Sequence, residues 1–227
     1  MRLQIVFATG NKDKVREMRE ILNDPDIDVF STKELGILSD PEETGTTFEE
    51  NASIKSRAAA RLLSSSFPSR LDPTFPTIVL SDDSGLAVDA LNGAPGIYSS
   101  RYMGTDTSYT VKMNHILDEL TGKKGRERSA RFVCACSAVV LKNPSAPAKD
   151  PEEFMEVGTM EGEIAEEIRG SHGFGYDPFF YLPDCGKTSA ELNDDEKNAL
   201  SHRGKAFRAM VKRIRAYCEE FGGTSRT

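Results

Sequence analysis

A short apolar run that leads directly into two neighbouring carboxylates constrains the fold of this sequence most. Residues Thr77–Leu80 are β-branched or apolar and carry no charge, which predicts a buried strand. We expect the strand to end there and to deliver the polar residues Ser81–Gly85 to one rim of a sheet. In open α/β sheets that rim is where ligands bind. The sequence therefore indicates an α/β fold with a binding site at the end of this strand.

The two adjacent carboxylates are expected to have different functions. Neighbouring side chains of a strand point to opposite faces, so one of Asp82 and Asp83 can face a ligand while the other accepts hydrogen bonds from a nearby loop. A hard cation such as Mg²⁺ is bound by one or two carboxylates together with substrate phosphates. The alternative is a polar turn in which Gly85 adopts a positive φ angle.

The N-terminal segment predicts a second binding feature. Residues Leu3–Ala8 have the pattern of a strand, and a helix with one apolar face follows residues Thr9–Lys14. Backbone N–H groups at the start of a helix form an anion site, and a lysine there adds positive charge for phosphate. The spacing matches neither a Walker A loop nor the dinucleotide-binding fingerprint. A plain strand–helix turn with an exposed lysine is the alternative.

An acidic loop and a helix follow further along the chain. The loop spans Asp40–Gly45, and Thr47–Glu50 match a capping box that predicts a helix through Leu63. On this helix Asn51 and Lys55 lie one turn apart on the same side, so the pair is expected to line a cleft. The alternatives are a solvated acidic turn and an ordinary surface lysine.

The stretch Gly170–Phe180 is rich in glycine and aromatic residues. Its glycines permit close backbone approach, its aromatic rings can stack on a planar base, and Asp177 can accept hydrogen bonds from the N–H groups of a base. A glycine-rich turn whose aromatic residues fill the core is the alternative. Downstream, His202 and Arg203 begin the last helix, which is predicted to end near Phe221.

The remaining pattern alternates strands and helices and predicts a mixed sheet. Further strands are expected at Ile27–Phe30, Leu86–Asp89, Ala130–Leu141 and Phe154–Ile164, a helix at Ser108–Leu120, and irregular connections at Ser64–Pro76 and Lys142–Glu152. Residues 222–227 are predicted to be a frayed tail.

Composition narrows the class of protein. The 227 residues carry a net charge of −7, whereas a non-specific nucleic-acid binder is usually basic. The four cysteines lack Cys-x-x-Cys spacing, which favours buried thiols in a reducing compartment over a zinc site. No apolar stretch approaches the length of a membrane span, and no signal-type N-terminus is present. A cytoplasmic enzyme without a nucleic-acid or membrane partner is expected.

Seven short motifs in order resemble those of the inosine triphosphate pyrophosphatase family, the XTP/dITP diphosphatases, over essentially the whole chain. They lie at residues 9–14 (TGNKDK), 42–45 (EETG), 50–55 (ENASIK), 82–86 (DDSGL), 93–99 (GAPGIYS), 173–178 (GFGYDP) and 201–204 (SHRG). Only the Ser64–Pro76 and Lys142–Glu152 connections look longer than the family pattern requires.

The resemblance implies an Mg²⁺-dependent hydrolase that converts non-canonical purine nucleoside triphosphates (ITP, dITP and XTP) to the monophosphate and pyrophosphate. It also implies a long central mixed β-sheet flanked by helices, with a substrate cleft between two lobes, and a homodimer. Residues 1–221 would then form a single catalytic domain of two lobes, followed by the tail 222–227.

The same resemblance implies a role for individual residues. Asp83 would be the general base, and Glu43 and Asp83 would hold the metal. The triphosphate would be bound by Thr9, Gly10, Asn11, Lys12, Asp13, Lys14 and Lys55, with Ser84 also contacting the substrate. Phe174 would stack on the base, and Gly175 and Tyr176 would belong to the same substrate-binding segment. Around the edge of the base would lie Asp177, Lys197, His202 and Arg203.

The chemistry of these residue types agrees with the implied reaction. Hydrolysis between the α and β phosphates requires a water in line, a base, and positive charge on the leaving pyrophosphate. Inosine and xanthosine present O6 as an acceptor, so donors from Lys197, His202 or Arg203 would be left unpaired against adenine. Guanine shares O6, so these contacts alone do not exclude it. A non-catalytic nucleotide-binding module and a Maf-type pyrophosphatase acting on other bases are the alternatives.

Overall fold

The computed structural model describes residues 2–141 and 151–222. The strands of this part of the chain are β1 (Leu3–Phe7), β2 (Ile27–Ser31), β3 (Thr77–Val88), β4 (Ser129–Leu141), β5 (Glu152–Ile164), β6 (Phe180–Leu182) and β7 (Lys187–Thr188). The α-helices are α1 (Lys12–Ile21), α2 (Phe48–Ser65), α3 (Tyr109–Glu119), α4 (Asp194–Leu200) and α5 (His202–Gly222). Most of the predicted Lys142–Glu152 connection and all of the tail after residue 222 lie outside the described residues.

The strands form one mixed sheet, as predicted. Among the described residues its order is β2-β1-β3-β4-β5-β6-β7. Strand β1 runs parallel to both β2 and β3, whereas β6 runs antiparallel to both β5 and β7. The alternation of strands and helices in the first third of the chain thus gives the parallel part of the sheet.

Strand β3 corrects the prediction that the central strand ends at Leu80. It continues to Val88 without a break, so Leu86–Val88 of the predicted separate strand are its last three residues, while Asp89 begins the following 3₁₀ turn. Gly85 lies in extended backbone, not in a turn. The reason is tertiary: the hydroxyl group of Ser81 donates to the carbonyl oxygen of Ala52 at 2.6 Å, and both following carboxylates are paired with lysines. Polar residues are stable inside a strand when their partners are supplied from neighbouring elements.

Local capping interactions position the two helices nearest to the acidic residues. The side chain of Asn11 accepts hydrogen bonds from the backbone N–H groups of Asp13 and Lys14, which begins α1 and places Lys14 in its first turn. At α2, Thr47 and Glu50 form the predicted capping box, with the hydroxyl oxygen of Thr47 accepting from the backbone of Glu50 at 3.1 Å. Such caps stabilise a helix end by about 1 kcal/mol.

The chain divides into two compact units, each with its own apolar core. The first unit spans Met1–Asp83, Ala135–Val157 and Gly204–Thr227, and the second spans Ser84–Cys134 and Gly158–Arg203. Buried core residues of the first unit include Val6, Ala59, Leu63, Val79 and Val139. Those of the second unit include Leu86, Ile116, Phe132, Phe179 and Phe180.

No helix in the described ranges is long and apolar enough to cross a membrane.

Strand β5 depends on a glycine at position 162. A methyl group at Gly162 would lie 2.5 Å from the carbonyl oxygen of Tyr181 and 2.8 Å from the ring of Phe180. We expect Gly162→Ala to lower the free energy of unfolding by about 1–3 kcal/mol, because the backbone of β6 has to move. Urea denaturation followed by circular dichroism measures this loss. The control Val157→Ala, at an exposed position of the same strand, is expected to change stability by less than about 0.5 kcal/mol.

Candidate active site

Five charged side chains of the first unit form a group that we term the acidic–lysine cluster. Its members are the buried Asp82 and Asp83 and the half-buried Lys14, Glu43 and Lys55. The ammonium nitrogen of Lys55 lies 2.8 Å from Asp83 Oδ1 and 3.0 Å from Glu43 Oε1. The ammonium nitrogen of Lys14 lies 2.9 Å from Asp82 Oδ1. The two neighbouring carboxylates of β3 therefore have different lysine partners, and that they have different functions stays a prediction.

Asn51 connects the acidic loop to strand β3. Its side-chain amide donates to Asp83 Oδ2 at 3.4 Å, and its Oδ1 atom accepts from the backbone N–H of Gly45 at 2.9 Å. A methyl group at Gly45 would lie 2.6 Å from that oxygen, so the loop requires a glycine here. Asn51 and Lys55 both contact Asp83 from α2. That the pair lines a cleft stays a prediction.

Burial and charge pairing act in opposite directions on the titration of this cluster. Burial raises the pKa of the Asp83 carboxyl above its ordinary value, and the ammonium group of Lys55 offsets part of the rise. Burial favours the neutral form of Lys55, but the carboxylates of Asp83, Asp82 and Glu43 raise the pKa of this lysine above its ordinary value. Lys55 is therefore protonated at neutral pH, and Asp83 is a stronger base than an exposed aspartate.

Two carboxylates of the cluster are close enough to share one cationic partner. Both Glu43 and Asp83 contact the ammonium group of Lys55. Within residues 2–141 and 151–222, no three His, Cys, Asp or Glu side chains are arranged to hold a metal ion by themselves. Mg²⁺ takes only one or two carboxylates when phosphate oxygens complete its ligands, so the metal site at Glu43 and Asp83 stays a prediction.

The loop before α1 is only partly available to an anion. The backbone N–H groups of Asp13 and Lys14 already donate to Asn11 Oδ1, at 2.8 and 3.2 Å. The side chain of Lys12 is exposed, as is Gly10. The predicted anion site at this helix start therefore has fewer unoccupied N–H groups than the sequence suggested.

A second group, which we term the Phe174 cluster, lies in the second unit. It comprises Phe174, Asp177, Ser189, Lys197 and Arg203. The ammonium nitrogen of Lys197 lies 2.7 Å from Asp177 Oδ2, and the backbone N–H of Phe174 donates to the same oxygen at 2.8 Å. The charged ends of Lys197 and Arg203 lie 5.2 and 5.5 Å from the centroid of the Phe174 ring. The half-buried ring and two cationic donors are thus held together, as a site for a planar base requires.

The structure places Tyr176 in the core. Its side chain is 3% exposed, its hydroxyl group donates to the carbonyl oxygen of Ser99 at 3.1 Å, and its ring packs against Tyr109 and Phe179. Burial raises the pKa of Tyr176. The alternative interpretation, in which aromatic residues of this stretch fill the core, applies to Tyr176. Neighbouring Gly175 has a φ angle of +68° and is therefore favoured as a glycine.

His202 and Asp177 are also largely enclosed by protein. The His202 ring stacks on Phe132 with ring centroids 4.9 Å apart and an angle of 12° between the ring planes. Asp177 accepts from three protein donors, the third being the hydroxyl group of Ser189 at 3.0 Å. That it also accepts from a base stays a prediction. The sequence did not single out Ser189, because a lone serine between β7 and α4 belongs to no recognisable motif.

Known proteins resemble this chain in sequence over most of its length. A family model described as the Ham1 family matches residues 5–213. A dITP/XTP pyrophosphatase of Yersinia pseudotuberculosis is 45% identical over 212 residues, which cover 93% of this chain and 98% of that protein. A dITP/XTP pyrophosphatase of Bacillus anthracis is 42% identical over 211 residues, covering 93% and 96%.

Solved structures agree with the sequence relatives. The Ham1 protein of Staphylococcus aureus superimposes with a TM-score of 0.75 at 38% identity, covering 94% of this chain and 99% of that one. A HAM1 protein from Coxiella burnetii superimposes with a TM-score of 0.74 at 41% identity, with the same coverage.

The ion pair between Lys197 and Asp177 should be essential for stability, because both side chains are only 4% exposed. We expect Lys197→Met to lower the free energy of unfolding by about 3–5 kcal/mol, since it leaves a buried carboxylate without its counter-ion. Urea denaturation provides the measurement. The matched control is Arg131→Met, which removes exposed ion pairs with Asp89 and Glu161 and is expected to cost less than about 1 kcal/mol. Equal losses in the two variants would contradict this assignment.

Proposed function

The chain belongs to the Ham1 family, and on that basis we propose that it hydrolyses ITP, dITP and XTP to the corresponding monophosphate and pyrophosphate. The observation that carries the proposal is the ammonium group of Lys55, which binds the carboxylates of both Glu43 and Asp83 at 3.0 and 2.8 Å. A protein that only retained a nucleotide would have little use for the carboxylates of Glu43 and Asp83 together.

In the proposed reaction Asp83 orients the attacking water and accepts its proton. Because a bound cation lowers the pKa of a carboxyl ligand, Asp83 would act mainly by positioning the water. Lys14 and Lys55 place positive charge near the phosphates and stabilise the negative charge that develops on the leaving pyrophosphate. Both lysines are held in place by carboxylates, so little conformational entropy is lost when substrate binds.

We propose that Glu43 and Asp83 bind Mg²⁺ together with the phosphates of the substrate. When bound, the ion supplies Lewis-acid polarisation of the phosphoryl oxygens and a template for their orientation. The meeting of these two carboxylates at the ammonium group of Lys55 supports this proposal, because Mg²⁺ is bound by one or two carboxylates together with substrate phosphates.

In the proposed complex the Phe174 cluster binds the purine. The ring of Phe174 stacks on the base, and Lys197 and Arg203 donate hydrogen bonds to O6. Adenine carries an amino group at this position and cannot accept these hydrogen bonds, so it would bind less favourably than a 6-oxopurine. Of the other residues that the sequence indicated around the base, His202 contributes packing through its stack on Phe132.

We further propose that the chain acts in the cytoplasm as a homodimer, and that residues 1–221 form a single catalytic domain of two lobes. These proposals rest on the family resemblance. Size-exclusion chromatography with light scattering measures the number of chains in the assembly, and a monomer at micromolar concentration would contradict the dimer.

The products of hydrolysis test the proposed reaction. Purified protein with Mg²⁺ is expected to convert ITP and XTP to the monophosphate and pyrophosphate, with ATP, dTTP and UTP as much poorer substrates. Chromatography of the nucleotides, with separate assays for pyrophosphate and orthophosphate, distinguishes the outcomes. Release of orthophosphate with a nucleoside diphosphate would overturn the proposal. Tight ITP binding without turnover would favour a non-catalytic binding module. A preference for dTTP or UTP would favour a Maf-type enzyme. Activity that survives EDTA would remove Mg²⁺ from the proposed reaction.

The role of Asp83 is tested by Asp83→Asn, which keeps the size of the side chain but removes its charge and basicity. We expect kcat/KM for ITP to fall roughly 10²–10⁴-fold, as for the loss of a general base. Asp89→Asn serves as the matched control. Asp89 directly follows the same strand and pairs with the partly exposed Arg131, so this variant should have wild-type activity. Near-normal turnover in a folded Asp83→Asn variant would remove Asp83 from the mechanism.

A further inference from the structure

We infer that Lys55 makes metal binding depend on the nucleotide, because its ammonium group and a divalent cation compete for the carboxylates of Glu43 and Asp83. This inference rests on the proposed function, in which these carboxylates bind Mg²⁺ and Lys55 lies near the phosphates. It adds that Lys55 opposes the metal ion until phosphate is bound. The effect of Lys55 on metal affinity is therefore opposite in sign to its effect on turnover.

The ammonium group of Lys55 is the meeting point of two carboxylates from separate parts of the chain. Its nitrogen lies 2.8 Å from Asp83 Oδ1 and 3.0 Å from Glu43 Oε1. Lys55 belongs to α2, Asp83 to β3, and Glu43 to the loop before α2. A divalent cation that takes both carboxylates as ligands must approach the same pair of groups, and it therefore also approaches the ammonium group.

The three side chains are largely shielded from water. The exposed fraction is 16% for the side chain of Lys55, 10% for Asp83 and 27% for Glu43. Charges in such surroundings are screened less by water and salt than charges on the surface. An ammonium group and a divalent cation on the same carboxylates therefore repel each other more strongly than they would in solution. Metal binding without phosphate has to overcome this repulsion.

A nucleotide changes this balance through the same ammonium group. Among the described residues, the contacts of Lys55 to Asp83 and Glu43 use two of its three N–H donors. A phosphate oxygen can accept from the third, and its negative charge offsets that of the ammonium group. The phosphates also contribute ligands to Mg²⁺. Metal and nucleotide thus bind with positive coupling, and each raises the affinity for the other by the same factor.

The experiment measures the affinity for Mn²⁺ without nucleotide, in wild type and in Lys55→Met. Mn²⁺ is the probe because its electron paramagnetic resonance signal weakens on binding, and pH 8 favours the ionised form of both carboxyl groups. Methionine keeps much of the apolar stem of lysine and removes the charge. We expect the dissociation constant for Mn²⁺ to fall at least about tenfold, the factor that corresponds to one competing hydrogen bond to a charged group.

Turnover in the same variant provides the second measurement. We expect kcat/KM for ITP to fall in Lys55→Met, because the leaving pyrophosphate loses a positive charge that stabilises it. Metal affinity and turnover thus change in opposite directions. A purely structural role of Lys55 would lower both, since a disturbed arrangement of Glu43 and Asp83 binds metal less well.

Control variants distinguish competition for these carboxylates from a general change of charge. Lys55→Arg keeps the positive charge and should keep the weak Mn²⁺ affinity of wild type. Arg57→Met removes another cation of α2, which pairs with Glu153 at 2.6 Å, and should also leave the affinity unchanged. Lys14→Met removes the ammonium group that pairs with Asp82, and its gain should stay below about threefold, because salt weakens the effect of more distant charges.

Two further variants locate the effect and protect the test against misfolding. Adding Glu43→Gln to Lys55→Met should remove most of the gain in Mn²⁺ affinity, because one of the two carboxylates is then lost. If Lys55→Met does not fold, as judged by circular dichroism, Lys55→Gln replaces it, because glutamine is polar but carries no charge.

The outcomes separate this inference from the proposed function. If wild type hydrolyses ITP with Mg²⁺ but the Mn²⁺ affinity of Lys55→Met (or Lys55→Gln) lies within about twofold of wild type, the inference alone is overturned. An equal gain in Lys14→Met or Lys55→Arg overturns it as well. Wild type that does not hydrolyse ITP, or does so in EDTA, overturns the proposed function and this inference together. A gain confined to the neutral variants of Lys55 supports the inference.

Discussion

The ammonium group of Lys55 joins two carboxylates that reach it from different parts of the chain. Glu43 comes from the loop before α2, and Asp83 comes from the middle of β3. A carboxylate buried as deeply as that of Asp83 would be strongly destabilising without a counter-ion. The position of α2 against β3 therefore depends on this charge pairing as much as on apolar packing. Asn51, one turn from Lys55, ties the same loop to the same strand.

The same pairing brings together the groups proposed to bind metal and phosphate. The carboxylates of Glu43 and Asp83 meet at the ammonium group of Lys55, and Asp82 holds the ammonium group of Lys14. In the proposed function a divalent cation on these carboxylates would bring phosphate oxygens close to the two lysines. The charge pairs that hold Asp83 in place are thus formed by the same groups that the proposed reaction uses.

The sequence predicted the elements of the fold well because their signals are local. The Thr47–Glu50 capping box and the apolar run Thr77–Leu80 lie where they were expected. The continuation of β3 through Gly85 could not be predicted, because two aspartates, a serine and a glycine favour a turn, and the lysines that compensate them come from α1 and α2. Motif resemblance located the candidate site residues, but it could not reveal that Tyr176 packs in the core.

The loop Gly173–Pro178 illustrates why a motif identifies positions more reliably than roles. Two of its side chains, those of Tyr176 and Asp177, point into the protein and are satisfied there, by Ser99 and by Ser189 with Lys197. The ring of Phe174 remains half-exposed because these buried contacts fix the backbone beside it. The groups proposed to meet the base therefore come from three elements: a ring from this loop, an ammonium group from α4 and a guanidinium group from α5.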